Sequence, residues 1–408
     1  MPRYIIILSE TASFPWGMAA ANRVRNLARG LLQEGWQVEY IGMRGADINK
    51  KKEVAYPLKG MVDHIPFQYP GMFAVRPKNW WLRRVDDLGG SCMSIALLLW
   101  RKIFRRVDGV LLYTRNPNYA GFLVSFLHLL NIPVILEVCE WPLAVAEVQG
   151  NAPEKARRFC EEIVPRVDGV LPISNYIEKV IAQASRRKGK TIPSFKIPIL
   201  IDVQEDVPCN IQSGNEKYML YCGAASYMDI ARLVVDITRE LKVNGTELPV
   251  KFTGKKNNAL LAALKKYADQ QGVLHLLEFT GFVEEEELHR LMRGAVCLLA
   301  PLPENIQSES RFPTKIGYYL ASGTPVVTNN VGEVARYLQD GKTAFVSRHC
   351  DPKQFACNIR QILKHPDFAQ RIGFAGRRLA FGKFHYCRAC KGLGEFLEQI
   401  VEKFRTSL

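Results

Sequence analysis

Along the whole chain, apolar runs of β type alternate with stretches whose apolar residues recur every three or four positions, the pattern of parallel α/β layers. Residues 4–8, 37–41, 109–113, 134–138 and 169–173 predict buried strands in the first half. Residues 218–222, 249–253, 276–280, 295–301, 325–328 and 344–346 predict a second sheet. Between these sets, residues 185–216 are polar and contain Lys, Pro and Ser, interrupted by the apolar run 197–201, which places a domain junction near 202–215. The last helix, from about residue 389 to 406, aligns Leu393, Phe396, Leu397, Ile400 and Val401 on one stripe that must dock on something.

A local repeat sharpens the picture. RRVDGVLLYTRN (105–116) and PRVDGVLPISNY (165–176) each end a helical stretch, turn at Asp-Gly, run through a buried strand and finish on polar residues. Ligands of open α/β sheets bind beyond the carboxyl ends of strands. Arg115, Asn116, Ser174 and Asn175 are therefore expected on one cleft wall.

The densest chemical signal is RFPTKIGYYLASGTPVVTNNVGEVARYLQDGKTAFV, residues 311–346. Pro313 suits the first turn of a helix, where a missing N–H costs nothing. Ile316, Tyr319 and Leu320 follow at helical spacing, Gly323 closes the helix, Pro325 blocks its continuation, and Val326 and Val327 start a strand. Arg311 and Lys315 flank the helix start, where open amides and the helix dipole already favour an anion. A phosphate-sized ligand is expected there.

This run closely resembles the nucleotide-sugar-binding motif of family 4 glycosyltransferases of the bacterial surface-polysaccharide type, retaining enzymes of the GT-B fold. The matched features are residues 312–315, 319–323, 325–327, 331–333 and Asp340 with Gly341. The N-terminal FPWGMAAANRVRNLARGLLQEGWQVEYIG is similar as well, with Gly17 in its loop and Arg23 in its helix. The resemblance implies an α/β chain of two Rossmann-like parallel-sheet domains facing a cleft. Residues 1–205 would be the acceptor-side domain, 206–386 the nucleotide-sugar domain, and 387–408 a helix crossing back to the first.

It also implies a reaction: transfer of a hexosyl or related sugar from a UDP- or GDP-linked donor to a lipid-linked or polysaccharide acceptor, with retention, in cell-surface glycan biosynthesis. The donor is a substrate, and no cofactor is implied. Arg311 and Lys315 would offset charge on the leaving diphosphate. Gly17, Lys255, Ser310, Phe312, Pro313, Thr314, Tyr318, Gly332 and Glu333 would line the donor site, and Arg23, Arg115, Asn116, Ser174 and Asn175 the acceptor side, with a local capping or pairing role equally open for Arg23. Glu137 and Glu140 follow a buried strand; Glu140, farther beyond its end, is the candidate to contact sugar or acceptor, with a capping or ion-pairing role equally open. No convincing DxD motif occurs, and no His has metal-ligand spacing, so a reaction without metal is expected.

Composition and the N-terminal run add four constraints. A length of 408 residues suits two domains. The ten cysteines form no framework, and Cys387 with Cys390 lacks a partner pair, so reduced cytoplasmic thiols are expected. The N-terminal RYIIIL reads as a first strand rather than a leader. A net charge of +15 calls for an anionic partner. Basic residues are dispersed and no nucleic-acid-binding signature is visible, so nucleic acid is not expected. Residues 79–106 instead mix Trp, Leu, Ile and Phe with Arg and Lys; they read either as a surface for an anionic membrane leaflet or as a core helix with solvated basic ends.

The chain departs from the family pattern at telling places. Ser310 and Tyr318 stand where relatives commonly carry two glutamates; Glu304 and Glu309 are out of register. The Arg and Lys that usually follow the first strand of the second domain are absent, since Gly223, Ala224 and Ala225 lead to Met228 and Asp229; Lys255 and Lys256 are candidate substitutes. These departures keep a non-catalytic GT-B scaffold or pathway partner open as an alternative, with a sugar-nucleotide epimerase of the same architecture behind it.

Overall fold

The computed structural model describes residues 3–48, 56–150, 153–204, 216–223, 228–254 and 258–407. The chain divides into two compact units, residues 1–202 with 386–408, and residues 203–385.

The first unit is built on a seven-stranded sheet: β1 (Tyr4–Ser9), β2 (Gln37–Gly42), β3 (Lys59–Val62), β4 (Ile65–Gln68), β5 (Gly109–Tyr113), β6 (Val134–Val138) and β7 (Gly169–Pro172). Their order is β3-β4-β2-β1-β5-β6-β7. All neighbours run parallel except β3 and β4, an antiparallel hairpin. Every residue of β1 is buried, as a central parallel strand covered on both faces requires. Sequence periodicity finds the five parallel core strands and misses the hairpin. Its turn residues Asp63 and His64 take φ of 50° and 63°, a left-handed geometry usually announced by Asn or Gly.

The two Asp-Gly turns of the repeat do more than reverse the chain. Asp108 accepts the Tyr4 N–H at 2.9 Å and Asp168 accepts the Val134 N–H at 2.7 Å. Each buried or half-buried carboxylate thus secures the start of the neighbouring strand.

Helices of this unit include α1 (Ala19–Gln33), α2 (Trp80–Phe104) and α3 (Pro117–Leu129). The last helix of the chain, Leu393–Thr406, begins later than periodicity suggests, because a short turn (Tyr386–Ala389) and Gly392 at φ 82° precede it. Leu393, Leu397, Ile400 and Val401 enter the same core as Ile5, Val24 and Trp36. Contact is close: a Cβ at Gly30 would overlap Cys390, and one at Gly394 would press on Glu34 and Trp36.

The second unit carries six parallel strands: β8 (Met219–Cys222), β9 (Val250–Thr253), β10 (Leu277–Gly281), β11 (Cys297–Ala300), β12 (Val326–Asn329) and β13 (Phe345–Ser347). Their order is β10-β9-β8-β11-β12-β13. Both sheets reverse their winding once, between β1 and β5 in the first and between β8 and β11 in the second. Such a switch point opens a crevice at the carboxyl ends of its strands.

Candidate functional site

In the second unit the helix Thr314–Ala321 starts at that switch point, with Pro313 in the extended N-cap position rather than inside the first turn. Two side chains one turn apart fasten it to the end of β8. The Cys222 N–H donates to Tyr319 Oη at 2.7 Å, and Lys315 Nζ donates to the Cys222 carbonyl at 3.4 Å. The Lys315 ammonium also sits 4.5 Å above the Tyr221 ring. Burial drives its pKa down to about 8; the Cys222 thiol works against this and the Arg311 charge with it. Lys315 is thus a cation whose charge is disfavoured by its surroundings and by a second cation, a setting an anion relieves.

The surrounding loops are tightly specified. Asn329, at the end of β12, accepts the Leu302 N–H at 2.8 Å and donates to the Leu302 carbonyl at 2.9 Å, tying β12 to the segment after β11. Gly332, at φ 55°, lies against the backbone of Ser308 and Glu309, where a Cβ would collide with the Ser308 carbonyl. Phe312 is buried between Tyr337, on which it stacks at 5.4 Å, and the edge-on ring of Phe384.

In the first unit the switch point gathers polar groups from four segments. Ser9 Oγ donates to the Tyr113 carbonyl at 3.0 Å and accepts the Thr11 and Ala12 N–H groups, shaping the loop after β1. Thr114 Oγ1 donates to Glu10 Oε1 at 2.9 Å. Glu10 Oε2 is buried with no hydrogen-bond partner among the described residues. Burial raises the Glu10 pKa, against the Thr114 hydroxyl and Arg44. Arg115 and Glu140 form an ion pair alongside.

Comparison with known proteins now assigns the second unit. Residues 203–379 match the family described as "Glycosyl transferases group 1". The second unit is a group 1 glycosyltransferase domain. Among curated proteins, the chain is 20% identical over 299 residues to spore coat protein SA of Bacillus subtilis, covering 64% of this chain and 76% of that one. It is 28% identical over 151 residues to D-inositol 3-phosphate glycosyltransferase of Streptomyces avermitilis, covering 36% and 31% respectively. That second match spans about a third of its relative. Among solved structures, sucrose-phosphate synthase from Thermosynechococcus elongatus superposes with a TM-score of 0.77 at 15% identity, over 98% of this chain and all of that one. HepE of Anabaena, solved in complex with UDP and glucose, gives 0.68 at 13% identity over 96% and 99%. The fold is GT-B, two Rossmann-like parallel-sheet domains.

Within the group 1 domain, the structure brings Arg311, Phe312, Pro313, Thr314 and Lys315 together at the helix start, with Ser310 just before them and Gly332 packed on the preceding helical turn. Ser310 is buried and its hydroxyl donates to the Gln307 carbonyl at 3.0 Å. Glu333 is buried, 3.6 Å from Arg336. Tyr318 sits one turn beyond Lys315 and lines a small cavity with His289, Met292, Ser322 and Arg377 instead of the β8 end. Glu304 accepts the Cys350 N–H at 2.7 Å and faces His349. Lys255, Lys256, Ala224 and Ala225 lie outside the described residues.

In the other unit, Arg23 does not reach a crevice. It is buried against Glu137 and donates to the Ile197 and Pro198 carbonyls at 3.0 and 2.8 Å, so it is a structural tie between α1, β6 and the segment after β7. Asn116 and Ser174 cap the helices that follow them, accepting the Asn118 and Ile177 N–H groups, and Asn175 accepts from Lys196. Gly17 closes a turn, donating to the Ser13 carbonyl at 2.8 Å beside Ala12 and Ala21. Sequence reasoning missed Glu10, Thr114, Cys222 and Tyr319. Glu10 and Thr114 do follow apolar runs directly, but only the adjacency of β1 and β5 makes them neighbours. Among the described residues no group of three or more His, Cys, Asp or Glu could hold a metal ion.

Proposed function

We propose that the protein transfers a sugar from a nucleotide-diphosphate donor, UDP- or GDP-linked, to a lipid-linked or polysaccharide acceptor in cell-surface glycan synthesis. The observation that carries this reading is Lys315, a half-buried ammonium beside Arg311 at the first turn of a helix opening onto the β8/β11 switch point. Departure of a diphosphate places negative charge on its bridging oxygen. Fixed cations and helix amides aimed there lower that barrier, and they need no reorganisation during the reaction. In this reading Arg311 and Lys315 supply the charge that a divalent ion supplies elsewhere. The leaving phosphate draws the proton from the acceptor hydroxyl on the same face of the sugar, giving retention.

On the acceptor side, the Glu10 carboxylate has one oxygen engaged by Thr114 and one buried without a hydrogen-bond partner among the described residues, which in this reading engages the acceptor hydroxyl once that hydroxyl displaces the cover over it; the Arg115–Glu140 pair lies beside it. The UDP complex of HepE and the group 1 match support a nucleotide donor. The test is thermal stabilisation by UDP and GDP, measured on the wild type and on Lys315→Ala. Stabilisation lost in the variant supports the donor site, and transfer from one labelled nucleotide sugar establishes activity. Wild-type protein indifferent to millimolar nucleotide would end this reading.

A second reading, a non-catalytic GT-B partner protein, draws on Ser310 and Tyr318. The Ser310 hydroxyl is spent on its own helix, and Tyr318 lines a cavity away from β8. Nucleotide binding without transfer or hydrolysis would favour it.

A further inference from the structure

Helix α2 wears its apolar face outward. Its buried stripe, one residue per turn, is Asp86, Gly90, Ser94 and Leu98. Asp86 accepts the N–H groups of Gly45, Met72 and Phe73 at 3.2, 2.8 and 3.1 Å. Gly90 lies under the Met43 carbonyl, where a side chain would collide, and Ser94 donates to the Gly90 carbonyl at 2.7 Å. This polar inner seam is satisfied and fixes the helix rotation.

Around the rest of its surface the helix exposes Trp81 (70%), Leu88 (70%), Met93 (55%), Trp100 (47%), Ile103 (72%) and Phe104 (68%), with Trp81, Leu88 and Ile103 opposite the buried stripe. Between Arg84 and Arg101 the helix carries only two charges, and both are engaged inward: Asp86 as above, and Asp87 with Arg76 at 2.7 Å. Over its 25 residues the helix is about 37 Å long. Helix α3 lies beside it: Ser91 Oγ donates to Tyr119 Oη at 3.4 Å, and Lys102 Nζ donates at 3.4 Å to the carbonyl of Asn131, just beyond the end of α3. Phe122 and Leu129, on the Tyr119 side of α3, are exposed at 53% and 80%. Large apolar side chains left exposed in this number along one helix and its neighbour mark a docking surface.

Charge decides what docks. Lys78, Arg83 and Arg84 border one end of the band, and Lys102, Arg105 and Arg106 the other. A second copy would bring the same net charge of +15 to that border, whereas an anionic lipid surface complements it. Tryptophan and basic residues flanking an apolar band suit the headgroup layer. No helix among the described residues is long and apolar enough to cross a membrane, so α2 would lie in the plane.

We infer that the outer face of α2, extended by α3, seats the protein on an anionic bilayer leaflet with the helix axis parallel to the surface. This binding does not depend on the transfer reaction. The experiment is flotation with vesicles of phosphatidylcholine alone and of phosphatidylcholine with phosphatidylglycerol. Wild-type protein should bind the anionic vesicles at least about tenfold more tightly and lose most of that binding in high salt. Leu88→Glu/Leu99→Glu, both exposed positions, should abolish binding with an unchanged melting temperature. On wild-type protein alone, tryptophan emission should shift to the blue and be quenched by brominated lipid.

Absence of vesicle binding, or binding untouched by the double substitution, would overturn the assignment. So would a wild-type dimer that the double substitution dissolves, which would give the face to a second copy. UDP stabilisation measured in parallel reports separately on the donor site.

Discussion

Lys315 Nζ and the Cys222 carbonyl oxygen lie 3.4 Å apart, joining the first turn of the Thr314–Ala321 helix to the end of the strand at the sheet's switch point. The contact places a cation where a diphosphate would rest, yet in surroundings that disfavour its charge.

That tension has a sign. The Lys315 pKa is depressed to about 8 from 10.5, so the unfolded chain binds more protons between these values and stability rises with pH across that window. At pH 7 the half-buried, desolvated charge is a burden. Lys315→Met should therefore stabilise the protein by about 1–3 kcal/mol at pH 7, with the advantage fading toward pH 10.5 in urea titrations. A variant less stable than wild type at pH 7 would contradict this.

Nucleotide binding should follow the opposite course. If the diphosphate requires protonated Lys315, UDP affinity is nearly flat up to pH 7 and about tenfold weaker at pH 9. Calorimetry in buffers of different ionisation enthalpy should show proton uptake near pH 8. A flat profile to pH 9.5 would remove Lys315 from the anion site.

Arg23 and Glu137 are a buried pair with two further carbonyl bonds from the guanidinium. Removing one partner strands a charge, so Arg23→Met should cost about 3–5 kcal/mol, and Glu137→Leu added to it should restore part of the loss. The measurement is chemical denaturation of the single and double variants. UDP-induced stabilisation should survive in any variant that folds.

Glu10 offers a cleaner functional test. Glu10→Gln keeps the Thr114 contact and the shape while removing the charge. Turnover should fall about ten- to a hundredfold with UDP stabilisation unchanged, if the free oxygen holds the acceptor hydroxyl. Unchanged turnover would place the acceptor elsewhere.

Gly332→Ala combines a φ of 55° with a collision at the Ser308 carbonyl. A melting-temperature loss equivalent to about 1–3 kcal/mol is expected, together with weaker UDP binding, because the turn before Arg311 must shift. Full UDP affinity would show that this turn does not position the donor.

What could be read from residues alone follows a physical division. Parallel core strands such as β1 and β12 are buried on both faces and announce themselves as unbroken apolar runs. The 311–346 segment was legible because Pro313, Gly323 and Pro325 punctuate it locally. The hairpin β3–β4 was not, since its turn rests on Asp63 and His64 and its first strand is mostly solvent-facing. Nor could the rotation of α2 be read. Its apolar content fits a core helix equally well, and only the distant amides of Gly45, Met72 and Phe73 pull Asp86 inward. The Glu10–Thr114 contact depended on strand order, which no local pattern carries. Arg23 looked like a ligand-reaching residue because its partner, Glu137, is 114 positions away.

The docking of Leu393–Thr406 beside Ile5 and Trp36 has a consequence for biogenesis. Because synthesis is vectorial, the opening half of the polypeptide emerges from the ribosome with a groove over Val24 and Trp36 that stays unfilled until residues 393–401 are made. The 203–385 segment draws its core from a contiguous stretch and can settle first. A released chain ending just short of Leu393 should therefore hold a protease-resistant later unit after a protease-sensitive earlier one, reversing the usual amino-to-carboxyl order of maturation.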